Sequence, residues 1–202
     1  MEPIKPVSIE EAEAWQKRLC CITSHPRSGS HWLRRMLGEV IANRVGYDLT
    51  FRNIDKYIGF GMVPVNNVMV KKHPYPLFYA THGYDDIPRI FLRRNFQDVL
   101  ASCWKGEEDN QTLWFTGNQD EIRERWEKMM IFGSTHSEII IDYDIMKHEP
   151  KAIISGVFKH LEMEVEDWEL DQAVKAGSRE NMLKEQQQCE KRTWDIVNEP
   201  NY

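Results

Sequence analysis

Leu19-Cys20-Cys21-Ile22-Thr23-Ser24-His25-Pro26-Arg27-Ser28-Gly29-Ser30-His31-Trp32-Leu33 is the stretch that decides how this chain folds. Its apolar start, Leu19 to Thr23, reads as a short strand; a tight Gly/Ser loop follows, and then an amphipathic helix begins at once. That is the build of a phosphate cradle. Loop N–H groups and the unpaired N–H groups of a helix N-terminus converge on an anion, and the helix dipole adds about half a positive charge there. The ATP-binding version, G-x-x-x-x-G-K-[ST], uses its lysine on the β/γ-phosphates and its Ser/Thr hydroxyl on Mg²⁺. Here Arg27 supplies the cation ahead of the glycine, and His31 stands in the lysine position. The loop suits a phosphate but not Mg·ATP.

Working outward, Leu33, Met36, Leu37, Val40 and Ile41 share one face of a helix expected over 31–45. Before the strand, 8–18 opens with a good N-cap and an acidic first turn and reads as a short helix. Residues 46–76 are loop-rich. Strands are expected at 77–81, ending at His82-Gly83, at 88–93 and at 138–142; the run Ile139 to Ile141 reads as buried on both faces. Helices are expected at 96–105, 119–132, 149–161, 166–176 and 179–190, with 106–118 a polar connection. Strands alternating with helices predict an α/β fold, a parallel sheet in a three-layer arrangement flanked by helices. Ligands bind such sheets beyond the carboxyl ends of the strands. Arg27, His82, Arg94 and Tyr143 each follow one of the four expected strands.

The chain has 202 residues, 41% of them hydrophobic, and carries a net charge of −6. A single domain over 1–202 is expected. The acidic balance argues against a nucleic-acid surface, so any basic site is local. No apolar run reaches the roughly 18 residues of a membrane span, and Met1-Glu2-Pro3-Ile4-Lys5 shows no signal-peptide core. Cys20, Cys21, Cys103 and Cys189 lack C-x-x-C spacing and read as free thiols of a reducing compartment, so a cytoplasmic protein is expected.

Ile90 to Ser102 places Arg93 and Arg94 at a strand end and a hydroxyl about two helical turns on, a pairing suited to a second phosphate. Together with the first loop it resembles the sulfotransferases that use 3′-phosphoadenosine 5′-phosphosulfate (PAPS). Their 5′-phosphosulfate loop, P-[KR]-S-G-[ST]-x-[WF]-L, is matched by Pro26 to Leu33. Their 3′-phosphate motif, R-N-P-x-D-x-x-x-S, is matched by Arg94, Asn95, Asp98 and Ser102, with Phe96 in place of the proline. Asp142 to Pro150 resembles Y-E-D-L-x-x-x-P, and Gly177 to Met182 resembles S-F-E-x-M; the matches run in order over about 25–182.

The resemblance implies a P-loop NTPase-like core and a set of roles. Arg27, Ser28, Gly29, Ser30 and His31 would hold the 5′-phosphosulfate, and Trp32 would stack on adenine. Arg94 and Ser102 would hold the 3′-phosphate, while Tyr143, Ser178 and Met182 would line the nucleoside. His82 matches the catalytic histidine of a K-T-H segment whose lysine is Ala80 here. The implied reaction moves a sulfuryl group from PAPS to a hydroxyl, or less readily an amine, of a small-molecule acceptor. PAP (3′-phosphoadenosine 5′-phosphate) is left as product and no metal is required. The family's C-terminal R-K-G clamp is missing, with Lys191-Arg192 a loose equivalent, and Arg179 replaces the aromatic expected beside adenine.

Read from the residues alone, other roles stay open. Arg27 and Gly29 also suit an ordinary strand-to-helix turn, Arg93 and Arg94 suit solvated positions or a pair with Asp98, and His73 and His31 rival His82. Asp142 at a strand end fits a Mg²⁺-binding acid, which keeps an ATP-dependent phosphotransferase in view. A PAP-binding protein without turnover is the third possibility.

Overall fold

The computed structural model describes residues 17–46, 49, 59–60, 74–84, 89–108, 118–185 and 187. The expected helix over 8–18, most of the 46–76 and 106–118 stretches, the end of the last helix and Lys191-Arg192 lie outside them. The elements are β1 (Leu19–Ser24), α1 (Ser30–Val45), β2 (Gly59–Phe60), β3 (Leu77–Thr81), β4 (Ile90–Arg93), α2 (Phe96–Glu108), α3 (Gln119–His136), β5 (Ile139–Asp142), α4 (Tyr143–His148), α5 (Pro150–His160) and α6 (Asp167–Ala176). A further helical segment covers 179–185.

The five strands form one sheet in the order β2-β3-β1-β4-β5, and every neighbouring pair is parallel. β1 is central because its residues are buried on both faces, as only an inner parallel strand can be. Leaving β1, the chain builds β2 and β3 on one side, then crosses to β4 on the other. The carboxyl end of β1 therefore opens at the point where strand order reverses, the place where such sheets form a crevice. The two-residue β2 falls in the stretch expected to be loop; two residues carry no periodicity to read.

One face of the sheet, with Cys20, Ile22, Phe78, Ala80, Ile90 and Leu92, packs on the apolar stripe of α1 and on Ile154, Val157 and Phe158 of α5 and Leu170 and Ala173 of α6. On the other side, Phe96, Val99, Leu100 and Cys103 of α2 cluster with Ile122 of α3. Gly133 of α3 sits so close to Phe91 of β4 that a Cβ there would lie 2.3 Å from the ring. The expected three-layer α/β arrangement is present.

One expectation needs correction. Ile139 and Ile141 turn toward the first core, but Ile140 is 42% exposed. Among the described residues β5 pairs with β4 alone, and alternation turns Ile140 to the face opposite Ile139 and Ile141. Two ion pairs tie the C-terminal third back to α1: Arg44 grips the buried Glu169 through two oxygens at 2.6 Å, and buried Arg35 bridges Glu39 and Glu185. No helix among the described residues is long and apolar enough to cross a membrane.

Candidate active site at the strand ends

The loop from His25 to Gly29 turns tightly, with Ser28 N–H donating to the His25 carbonyl at 3.1 Å. Arg27 and Gly29 both take positive φ, +68° and +94°. Gly29 is required twice over. Its backbone is left-handed, and a Cβ there would stand 2.6 Å from the Tyr143 ring. Gly29 is also the N-cap of α1, so no side chain caps that helix and no acid lies in its first turn. α3 differs: Asn118 Oδ1 accepts from the N–H groups of Asp120 and Glu121. α6 likewise carries a capping box. The α1 N-terminus, at the carboxyl end of β1, thus carries neither a side-chain cap nor an acid, an arrangement that α5 shares.

Arg94 lies where β4 ends. Its Nη1 donates to the Arg27 carbonyl at 2.9 Å, and its guanidinium carbon sits 4.1 Å from the centre of the Tyr143 ring. Arg27 in turn donates through Nε to Ser102 Oγ at 3.1 Å. Arg27, Arg94, Ser102 and Tyr143, spread over 117 positions of sequence, thus form one contact network. Ser28 Oγ and Arg94 Nε, both shielded from solvent, find no hydrogen-bond partner among the described residues. Trp32 meets Tyr143 edge to face, ring centres 5.9 Å apart, and lies beside Gly177, where a Cβ would stand 2.4 Å from Met36 Cγ and 3.0 Å from the Trp32 indole nitrogen. Ser178 Oγ accepts from Asn181 N–H at 3.3 Å and starts the 179–185 segment, where Met182 is half-buried and Arg179 exposed. His31 and the buried Ser30 stand in the first turn of α1.

The neighbouring arginine has another partner. Arg93 makes a two-pronged ion pair with Asp142, both bonds 2.7 Å, which holds that carboxyl below the usual carboxylate range. Asp98, the pairing partner open from sequence, instead accepts from Asn95 Nδ2, while Asn95 Oδ1 accepts from Asp98 N–H. The Asp142 carboxylate that a Mg²⁺ site would use is occupied by Arg93.

His82 follows β3 directly. Its Nδ1 is 2.6 Å from the Ser24 carbonyl oxygen and 3.4 Å from Ser24 Oγ. A carbonyl can only accept, so Nδ1 carries the proton and Nε2 is the basic nitrogen of the neutral ring. Burial, reinforced by Arg34 and opposed by the Ser24 bond, lowers the His82 pKa below the ordinary histidine value. His25, 1% exposed, is lowered further, to about 4, mainly by burial. Its Nδ1 donates to the Pro26 carbonyl at 2.7 Å.

Three contributors escaped the sequence. Buried Arg34 acts on the basic histidine, His82 in turn acts on buried His25, and Trp126 of α3 donates its indole N–H to the Arg94 carbonyl at 2.9 Å. Trp126 follows Ile122 by one helical turn on the buried stripe of α3, but no spacing links it to a residue 32 positions away.

No family model matches the chain, and no curated protein does. Among solved structures it is similar to the mouse sulfotransferase SULT7A1 complexed with PAP, with a TM-score of 0.53 and 19% identity over 87% of this chain and 71% of that one. At that identity the likeness establishes the fold: an α/β parallel sheet flanked by helices, shared with a sulfotransferase.

Proposed function

We propose that the chain is a sulfotransferase that moves a sulfuryl group from PAPS to a hydroxyl, or less readily an amine, of a small or medium-sized acceptor. The observation that carries this reading is the joining of two anion-binding corners into one network. Arg27 of the first corner bonds to Ser102 of the second, and Arg94 of the second bonds back to the Arg27 carbonyl. A nucleotide with anionic groups at both its 5′ and 3′ positions matches such a pair; a nucleotide with a single phosphate chain does not. The residues fit the group on local grounds too. Any Cβ at Gly29 would collide with the Tyr143 ring, α1 carries no side-chain cap, and Ser28 Oγ and Arg94 Nε are donors without a hydrogen-bond partner among the described residues.

When bound, PAPS supplies an activated sulfuryl group whose bond to a phosphate oxygen breaks as the acceptor's oxygen bonds to sulfur. The roles proposed for the chain are those the motif resemblance implies. Arg27, Ser28, Gly29, Ser30 and His31 bind the 5′ end, and Arg27 stabilises charge gathering on the departing phosphate. Arg94 and Ser102 bind the 3′-phosphate, and Trp32, Tyr143 and Ser178 hold the nucleoside. His82 takes the acceptor's proton at Nε2; its lowered pKa keeps it neutral at pH 7, the state a base needs. Cys20, Cys21 and Cys103 are buried thiols outside any disulfide, which accords with a cytoplasmic setting.

The test is PAP release from PAPS, with and without a panel of phenols, alcohols and amines, in the presence of EDTA. Acceptor-dependent PAP release is expected, falling roughly 10²–10⁴-fold in His82→Ala while PAP binding persists. Phosphate transfer from ATP that requires Mg²⁺, with no PAP release, would overturn the reading.

A further inference from the structure

Between the end of β4 and the start of α2 the chain turns a corner at Arg94 and Asn95. The last ladder position of β4 is Arg93, opposite Asp142, and the first helical hydrogen bond of α2 uses the Asn95 carbonyl, which accepts from Val99 N–H at 3.2 Å. The Arg94 carbonyl therefore belongs to neither element and needs a partner from elsewhere. Trp126 supplies it at 2.9 Å from α3.

The indole is held in turn. Its ring lies 5.7 Å from that of Phe96, which is 7% exposed and packed among Val99, Leu100, Cys103 and Ile122. The Arg123 guanidinium, also from α3, covers the Phe96 ring at 4.3 Å. Phe96 stands where the matched motif has proline. A proline would stiffen this corner by fixing its own φ and restricting Asn95. Phe96 has neither effect, and its ring instead anchors the tryptophan that holds the corner from outside.

We propose that Trp126 is a positioning residue. By fixing the Arg94 backbone it sets the Arg94 guanidinium over Tyr143 and so selects nucleotides bearing a 3′-phosphate. This rests on the assignment of Arg94 to that phosphate under the proposed function. Trp126 touches no nucleotide itself; it acts through Arg94.

The test measures PAP and AMP affinities on the full chain for wild type, Trp126→Phe, Arg94→Lys and the double variant. Trp126→Phe keeps an aromatic ring and removes the donor, and Trp126→Met serves as a second apolar variant with the same loss. Both are expected to weaken PAP about 5-fold, the usual worth of one hydrogen bond, and to leave AMP unchanged. In the Arg94→Lys background the Trp126 change should add nothing. An unchanged PAP-to-AMP ratio, equal weakening of both nucleotides, or an additive loss in the double variant would overturn the proposal. Wild type binding PAP no better than AMP would overturn the 3′-phosphate assignment and this inference with it. A wild-type preference for PAP that persists undiminished in Trp126→Phe would overturn this inference alone.

Discussion

The two corners of the site are held in place by different means. The β1–α1 loop is fixed by its own backbone: left-handed positions at Arg27 and Gly29 on either side of Ser28, a turn closed on His25, and a glycine against which Tyr143 packs directly. The β4–α2 corner is fixed by contacts drawn from three other places, the side chains of Trp126 of α3 and Tyr143 after β5 and the backbone carbonyl of Arg27. A backbone-built corner concentrates its requirement in one or two residues. A packing-built corner spreads it, so each contributor matters less and can be exchanged. That difference ranks what substitutions should do.

The largest effect is expected at Gly29. Gly29→Ala must adopt a left-handed backbone and push Tyr143 aside, at a cost of about 3 kcal/mol from strain and overpacking combined. Differential scanning calorimetry should show a Tm about 10 °C lower, and nucleotide binding should vanish with the loop geometry. A variant with wild-type Tm would show that the first corner is not backbone-built. Next comes Arg94→Lys, which keeps the charge but loses the flat guanidinium that stacks on Tyr143 and reaches the Arg27 carbonyl. Calorimetric titration should find PAP weakened about 30-fold with AMP and Tm nearly unchanged.

Acid should break the first corner before the second. The folded pKa of His25 is about 4, below the 6.5 of the free side chain, so the unfolded chain binds its proton first. Stability is full above about pH 6.5 and falls as pH drops toward 4, by roughly 2 kcal/mol at pH 5. His82, lowered for the same reason, adds to the loss in the same direction. Urea midpoints at pH 7.5 and pH 5 should differ accordingly, and His25→Gln should flatten the difference. The smallest effect belongs to Asp142→Asn. Its pair with Arg93 is more than one-third exposed on both sides, so a stability change below about 1 kcal/mol and no change in PAP affinity are expected. A large loss of PAP affinity there would move the 3′-phosphate role from Arg94 to Arg93.

The same contrast explains what could be read from the chain before folding. The loop was legible because its requirement is local: Pro26, Arg27, Gly29 and the helix that follows are contiguous, and strand periodicity gave the sheet its inner strands. Tyr143 and Ser178 were legible only through ordered resemblance. Trp126 and the covering of Arg94 were not, because a bond across 32 residues depends on where α3 lies on the sheet. Ile140 misled for a related reason: an apolar run states that a strand is hydrophobic, while its position at an edge is set by the whole topology. Arg93 and Arg94 are chemically identical; motif register alone singles out Arg94 in the sequence, and β5, placing Asp142 opposite Arg93, separates them in the fold.

The central claim is that one site holds a nucleotide by anions at both its 5′ and 3′ positions. Thermal denaturation of the full chain with equal concentrations of PAP, AMP and ATP, without metal, tests it without knowledge of the acceptor. The account predicts that PAP raises Tm well above the shift given by AMP or ATP, and that Arg94→Lys removes most of that excess. Equal shifts from the three nucleotides would contradict it.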